Sequence, residues 1–351
     1  MLTIRAGRRA LEAIRAQGLD PAAVAIVPGA AGGPKALGLS GLDRAVFGEY
    51  LPRARRTRHL VGASIGAWRF AAACTADPVA SLARFAELYT EQRYPPRANA
   101  AFVSRSARAM VAELFAGRED EILGCSDYRL HVLAVRGRWP LTRSPITTPI
   151  GFGMAAFANA VGRRHLARLL ERTVFSDSRE PLPFLGSVFD AFHTHRVHLD
   201  RENLNEALLA SASIPMVLEG VADIPRAPAG MYWDGGIIDY HLHLPYHRAQ
   251  DLVLYPHFVD RIVPGWLDKA MPWRHARGEW LENVVLVAPS REYIARLPRR
   301  KLPDRSDFKR FAGDDAGRMR YWRTAIAESE RLGDEFLAFV ERPDPSKILP
   351  L

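Results

Sequence analysis

Short apolar runs, each followed by a helical stretch, organise the first eighty residues. Val24–Val27 form an apolar run that ends in glycines, and residues 59–64 form a second run that ends at a sharp turn. Helical periodicity follows each run, at 36–51 and at 67–76. A strand, a tight loop and a helix, repeated in this order, are typical of a parallel α/β fold.

The rest of the chain adds elements of both kinds. Residues 2–17, including Leu2, are predicted to form an amphipathic helix. Further strands are predicted at 129–136, 195–199, 252–255 and 283–288, and further helices near 78–92, 105–116, 160–171, 203–211 and 315–340. We predict loops at 138–150 and 177–185, and a solvated basic surface segment at 295–310.

Composition narrows the class of protein. Hydrophobic residues make up 48% of the chain and charged residues 25%, as in an ordinary globular protein. No stretch reaches the roughly 18 uninterrupted apolar residues that a membrane-spanning helix needs, and charges interrupt the N-terminal residues where a secretory signal would be apolar. We therefore expect a cytoplasmic protein. No domain boundary stands out, so we predict one domain over 1–351.

The chain is basic, with a net charge of +9, and five lysines among its 48 basic residues leave 43 arginines. A basic surface favours anionic partners such as lipid headgroups or nucleic acid. No nucleic-acid module is recognisable, and aromatic residues do not interleave with the basic runs. We expect peripheral contact with an anionic membrane surface and no nucleic-acid partner.

The first candidate motif is Gly62–Gly66, which has the form G-x-S-x-G between a predicted strand and a predicted helix. A nucleophile there stands on a sharp turn, and the flanking Gly62 and Gly66 keep side chains out of that turn. The following helix directs backbone N–H groups toward the site. The alternative is a glycine-rich turn in which Ser64 only caps the helix.

The second motif, at 28–35, is a glycine-rich loop between another strand and helix. A nucleotide phosphate loop is excluded, because Pro34 replaces its second glycine and Ala36 its Ser or Thr. The spacing also differs from a dinucleotide fingerprint. Gly32 and Gly33 instead suit an oxyanion hole, in which backbone N–H groups converge on a developing negative charge.

The third motif is Asp234–Gly236. Asp-Gly-Gly between apolar segments is often only a hairpin turn. A carboxylate on a loop can instead act as the general base of a serine within hydrogen-bond reach. In that case Gly235 and Gly236 let the backbone pass close to the active site.

Taken in order, the three motifs resemble those of the patatin-like phospholipases. That family has a G-G-x-[KR]-G loop, then G-x-S-x-G, then D-G-[GA] far downstream. Gly32, Gly33 and Lys35 match the loop. Ser64 follows Lys35 by 29 residues, and Asp234 follows Ser64 by 170. The resemblance implies a serine hydrolase that cleaves acyl esters of lipids.

The resemblance covers about residues 24–245, including 210–221, which is similar to the Ala-Ser-x-x-x-Pro segment of the family. Residues 246–351 are then the C-terminal part of the same domain. The implied fold is a three-layer α/β/α sandwich with a mainly parallel central sheet.

The resemblance also assigns roles. It implies that Ser64 is the nucleophile and Asp234 its base. The implied oxyanion donors are Gly32, Gly33, Lys35 and Ile65, and the implied supporting glycines are Gly62, Gly66, Gly235 and Gly236.

Two alternatives stay open. Ala31 and Ala36 stand where the family usually has glycine, and Pro34 has no N–H to donate. The fold could therefore serve as a catalytically weak module that binds membranes or proteins. A triad of Ser64, Asp234 and His257, in the order of α/β-hydrolases, is the other alternative.

Histidines raise the question of a metal. They form two clusters, His193, His195 and His198, and His241, His243 and His247. H-x-H on a strand can present two imidazoles to a metal. Neither cluster matches a zinc-protease helix, and no carboxylate accompanies them at ligand spacing. We predict no metal and no cofactor.

Overall fold

Helices surround a central sheet in the computed structural model, which describes residues 1–95, 97–142, 147–182, 184–186 and 188–351. The strands among these residues are β1 (Leu2–Ala6), β2 (Val24–Gly29), β3 (Arg58–Ala63), β4 (Tyr128–Gly137), β5 (Leu170–Asp177), β6 (Thr194–Leu199), β7 (Val221–Ala222), β8 (Met231–Asp234), β9 (Leu252–Pro256), β10 (Val284–Pro289) and β11 (Leu349–Pro350).

The α-helices are α1 (Arg8–Gln17), α2 (Ser40–Asp43), α3 (Ile65–Ala73), α4 (Pro78–Glu91), α5 (Ala100–Phe115), α6 (Glu119–Gly124), α7 (Thr147–Val161), α8 (Arg163–Leu166), α9 (Leu204–Ser211), α10 (Arg291–Arg296), α11 (Ser306–Arg310) and α12 (Asp315–Glu341). Short 3₁₀ segments connect many of them, and a π-helical stretch spans Arg44–Tyr50. None of the helices in the described part of the chain has the length and apolar character to cross a lipid bilayer.

The strands follow the order β11-β1-β10-β9-β2-β3-β4-β5-β6, and β8 pairs with both β4 and β7. Pairing is parallel from β10 through β9, β2 and β3 to β4. Every residue of β2, β9 and β10 is buried, as expected where helices cover both faces of a parallel sheet. This confirms the predicted α/β/α sandwich with a mainly parallel sheet.

Two of the predicted helices are wrong in extent. Residues 2–17 are not one helix, because Leu2–Ala6 pair with β10 as strand β1 and only Arg8–Gln17 are helical. The helix predicted near 160–171 ends early, and β5 begins at Leu170. The sheet decides both segments, because pairing with a neighbouring strand overrides the local periodicity.

The predicted loop at 138–150 is also wrong at its end, because α7 begins at Thr147. Residues 143–146 of that prediction, and residue 183 of the loop predicted at 177–185, lie outside the described residues.

The segment at 295–310 is not a purely solvated surface. Leu302 and Asp307 are buried, and Asp307 accepts a hydrogen bond from the indole N–H of Trp322 at 3.1 Å. Arg305 lines a cleft described below. The basic, proline-containing composition hid these contacts because they depend on residues distant in sequence.

Strands β3 and β8 share one edge of β4, and this sharing positions the candidate site. Strand β3 runs parallel to β4 and ends with Ala63 opposite Leu133. Strand β8 runs antiparallel to β4 and ends with Asp234 opposite Ala134. The carboxyl ends of two strands that approach from opposite directions therefore meet at one point of the sheet.

Candidate active site

Ser64 stands on a strained turn between β3 and α3. Its backbone has φ 56° and ψ −128°, an unusual conformation for a residue with a side chain. The N–H of Ser64 donates to Ser211 Oγ at 2.8 Å, and Ser211 Oγ donates to the carbonyl of Leu133 at 2.6 Å. The last residue of α9 thus ties the turn to β4.

Gly66 allows α3 to start directly against the sheet. A Cβ at this position would lie 1.9 Å from the carbonyl oxygen of Gly29, at the end of β2. Gly62, the other glycine of the motif, pairs with Gly29 and Val132 in the sheet. Because α3 begins so close to β2, its N-terminal N–H groups lie beside the Gly-rich loop.

Ser64 and Asp234 lie together although 170 residues separate them. Ser64 Oγ donates a hydrogen bond to Asp234 Oδ2 at 2.7 Å, and both side chains are buried. Asp234 Oδ1 accepts the N–H of Gly236 at 2.7 Å, and the N–H of Asp234 donates to the carbonyl of Ser213 at 2.9 Å. These bonds fix the carboxylate at the hydroxyl.

The environment of Asp234 makes it a stronger base. Burial raises the pKa of its carboxyl above the ordinary value of 3.8, because the charged form loses water. The cation of Arg305 and the hydrogen bonds from Ser64 and Gly236 favour the charged form and limit the rise in pKa. A raised pKa brings a carboxylate closer to the range in which a general base works well near neutral pH.

The Gly-rich loop lies next to this pair. Ala31 N–H donates to the carbonyl of Tyr240 at 2.9 Å, which ties the loop to the chain after Asp234. Gly33 has φ +56°, which favours glycine. Gly33, Ser64 and Ile65 line one cavity of about 60 Å³.

Two residues of the predicted oxyanion loop, Gly32 and Lys35, do not line the Ser64 cavity. Gly32 packs against Phe258, and a Cβ at Gly32 would lie 2.5 Å from that ring. The ammonium of Lys35 lies 4.9 Å from the centre of the same ring and lines a neighbouring cavity. Among the described residues that line the Ser64 cavity, neither Gly32 nor Lys35 appears.

Apolar and aromatic side chains form most of the Ser64 cavity. Its other lining residues are Trp68, Tyr89, Gln92, Tyr94, Val103, Ala107, Ala212, Ile214, Leu218 and Arg305. Ile214 and Arg305 also line a narrow cleft beside Asp234, together with Tyr240 and Trp266. An acyl group is chemically compatible with these walls because they are mostly apolar.

The histidines do not join this site. His257 is buried, and its Nδ1 lies 2.6 Å from the carbonyl oxygen and 3.0 Å from the backbone nitrogen of Val259, while its Nε2 has no partner among the described residues. It therefore does not hydrogen-bond to Asp234 as a triad would require. Within the described ranges, no three His, Cys, Asp or Glu side chains are placed to hold a metal ion.

Sequence reasoning missed three supporting residues. Ser211 and Ser213 hold the backbones of Ser64 and Asp234, and Arg305 places a cation at the cleft. The similarity of 210–221 to a family segment was a signal for the two serines. Nothing in the local pattern marks Arg305, because its importance depends on contact with a distant turn.

Comparison with known proteins identifies the family of the chain. A family model described as patatin-like phospholipase matches residues 32–242, which is more than half of the chain. The match includes Ser64 and Asp234. A search of curated proteins found no match.

Proposed function

Because the chain belongs to the patatin-like phospholipase family, we propose that it is a serine hydrolase that cleaves acyl ester bonds of lipids. Ser64 is the proposed nucleophile and Asp234 the proposed base. The observation that carries this proposal is the 2.7 Å hydrogen bond from Ser64 Oγ to Asp234 Oδ2 in a buried site. A nucleophile within hydrogen-bond reach of its base is the arrangement that acyl transfer needs.

The proposed reaction has two steps. Ser64 Oγ attacks the ester carbonyl while Asp234 accepts its proton, and the alcohol leaves with that proton. Water then attacks the acyl carbon while Asp234 accepts a proton from it, and Ser64 Oγ leaves with that proton, which releases the carboxylic acid and restores both residues. Backbone N–H groups of Gly33 and Ile65 are the proposed donors to the oxyanion, since both residues line the cavity at Ser64. Gly32 and Lys35 remain predicted donors through their backbone N–H groups.

A fluorophosphonate probe, which phosphonylates activated serines with loss of fluoride, tests the proposal. We expect labelling of the native protein and none of Ser64→Ala. Asp234→Asn should lower ester hydrolysis by at least about 100-fold, the scale of losing a catalytic acid or base, whereas His257→Phe should retain activity. A folded native protein that is neither labelled nor active would support the binding module. Loss of activity in His257→Phe with activity in Asp234→Asn would support the triad.

We also propose that α7 contacts an anionic lipid surface. Four apolar side chains at helical spacing, Ile150, Met154, Phe157 and Val161, have exposed fractions of 43% to 73%. These positions define the α7 stripe. Exposed Arg164 and Arg168 follow it, and no carboxylate of the described chain lies within ion-pair distance of either. An apolar stripe with adjacent arginines fits the boundary between anionic headgroups and acyl chains.

The α7 stripe belongs to a helix beside the candidate site. Phe152 of α7 packs edge-on against Trp233, with ring centres 5.2 Å apart, and Trp233 precedes Asp234. The side chain of Asn159, in α7, donates a hydrogen bond to Asp268 at 2.9 Å. Asp268 belongs to the same short 3₁₀ helix as Trp266, and Trp266 lines the cleft beside Asp234. A lipid surface on α7 would thus lie near the reaction site.

Vesicle binding tests the role of the α7 stripe. Changing Ile150 and Phe157 together to serine should weaken binding to phosphatidylglycerol vesicles at least ten-fold, because each buried apolar side chain contributes about 1.5–3 kcal/mol. Leu349→Ser, at an exposed apolar position on β11, is the matched control and should bind normally. Unchanged vesicle binding would contradict the proposal.

A further inference from the structure

A second cavity, of about 390 Å³, opens beside the cleft at Asp234. Tyr240 lines both spaces. Basic side chains from three parts of the chain line this second space, Lys35, Arg261 and Lys269. We call it the cationic cavity. Apart from the backbone N–H of Lys35, nothing in the proposed acyl transfer uses it.

Three positive charges of the cationic cavity, on Lys35, Arg261 and Lys269, have no ion-pair partner within the described residues, whereas a fourth, on Lys301, is paired. No carboxylate there lies within 4.0 Å of Lys35, Arg261 or Lys269. The nearest acid on the wall, Asp304, is already paired with Lys301 at 2.8 Å. The ammonium groups of Lys35 and Lys269 lie over aromatic rings, 4.9 Å from the centre of the Phe258 ring and 4.1 Å from the centre of the Tyr240 ring.

Like charges lie close together in the cationic cavity, and their repulsion is unfavourable. Burial and the nearby cations of Lys35 and Arg305 lower the pKa of Lys269 to about 7. Like charges crowded in this way disfavour their own charged forms. A bound anion would relieve this repulsion and restore the lysine's charge.

His241 supplies an independent sign that a hydrogen-bond partner is missing. It lines the cationic cavity and is only 1% exposed. Its Nδ1 lies 3.0 Å from the backbone nitrogen of Val263 and 3.2 Å from the carbonyl oxygen of Arg261, so one ring nitrogen makes both contacts. The other nitrogen, Nε2, has no partner among the described residues. A buried polar nitrogen without a partner is costly, and a ligand oxygen would accept a hydrogen bond from it in the tautomer that carries the proton on Nε2.

We propose that the cationic cavity binds a phosphate group. Phosphate offers several acceptor oxygens and, as a monoester, about −1.5 to −2 charge at neutral pH. Lys35, Arg261 and Lys269 supply the matching positive charge, and His241 supplies a neutral donor. A carboxylate carries one negative charge and two oxygens, so it matches this set less well.

The phosphate has two possible sources, the substrate or free phosphate. Because Tyr240 links the cationic cavity to the cleft at Asp234, a phosphate on the substrate could bind there while its acyl ester reaches Ser64. This substrate role rests on the proposed hydrolase function. The binding of phosphate itself does not.

Calorimetric titration of the full-length Ser64→Ala protein with inorganic phosphate tests binding without catalysis. We expect saturable binding that weakens at least ten-fold when Arg261 and Lys269 are both changed to Met. The matched control changes Lys309 and Lys347 to Met, two lysines outside the cavity, and should bind as before. Lys269→Met alone, the milder change, should weaken binding even if the double variant does not fold.

Kinetics distinguish the two sources. For native protein, kcat/KM for a 1-acylglycerol phosphate should exceed that for the 1-acylglycerol with the same chain, and this ratio should fall at least ten-fold in Lys269→Met. Saturable phosphate binding, together with equal kcat/KM for the two substrates, would assign the cavity to free phosphate. No phosphate binding by the native fold, or equal binding by Lys269→Met, would overturn the proposal. Absence of all hydrolysis, with phosphate binding intact, would overturn only the hydrolase function.

Discussion

At the scale of single residues, the basicity of Asp234 depends on opposing neighbours. Burial disfavours its charge, while Arg305 and two hydrogen bonds favour it. As the proposed base, Asp234 must be deprotonated to accept the serine proton, so the acidic limb of kcat/KM should follow its pKa in the free enzyme. The site therefore carries a pH dependence that one neighbouring cation adjusts.

Arg305→Met tests this adjustment. Removing the cation removes a contribution that lowers the pKa of Asp234, so that pKa should rise and the acidic limb should move to higher pH. The pH profile of kcat/KM with a neutral ester provides the measurement. Arg310→Met, an exposed arginine of the same segment, should leave the limb in place. A limb that stays fixed or moves to lower pH in Arg305→Met would contradict the assignment.

At the scale of elements, the site depends on how closely α3 approaches the sheet. Its first turn is held by Ser211 at the end of α9 and by the short contact between Gly66 and the carbonyl of Gly29. Shifting α3 by even a fraction of an ångström would move Ser64 relative to Asp234. Close packing of these elements is therefore a requirement for the hydrogen bond between them.

A pair of glycine substitutions tests the close approach. Gly66→Ala places a Cβ against the backbone of β2, and we expect it to cost about 2–3 kcal/mol of unfolding free energy, the upper range for overpacking, and most esterase activity. Gly153 lies in α7, where an added Cβ would meet no atom within 4 Å. Gly153→Ala should therefore raise the free energy of unfolding by about 0.5–1 kcal/mol. Urea unfolding measures both. Equal effects would show that α3 tolerates displacement.

At the scale of the whole molecule, the sheet depends on strands beyond the region that matches the family. Strand β9 lies between β2 and β10, and β1 pairs with β10. Residues 246–351 contribute β9, β10 and β11 as well as α12, which packs on α2. Without them, β2, whose residues are all buried, would become an exposed edge.

Truncation tests the proposal that 1–351 is a single domain. We expect the fragment 1–245 to be insoluble or unfolded, because it keeps the apolar strand β2 and loses its partner. The complete chain should unfold in a single cooperative transition, seen at the same urea concentration by circular dichroism and by tryptophan fluorescence. A soluble, folded 1–245 fragment, or two separate transitions, would indicate two units.

The sequence alone determined the α/β class, because apolar runs followed by helical periodicity have few other solutions. It also determined the family and the candidate pair, because Ser64 and Asp234 lie in motifs that require glycines at fixed neighbouring positions. Elements whose stability is local, such as α4 and α12, were predicted within a few residues. These features depend on residues close together in the chain.

Only the tertiary structure decided the rest. Strand β1 forms because β10 offers it a partner, and local periodicity contains no record of that partner. The distance between Ser64 and Asp234 depends on two strands that meet on one edge of β4. The contacts of Arg305 and the walls of the cationic cavity likewise bring together side chains that are far apart in sequence. Their charges come close enough to interact only after folding.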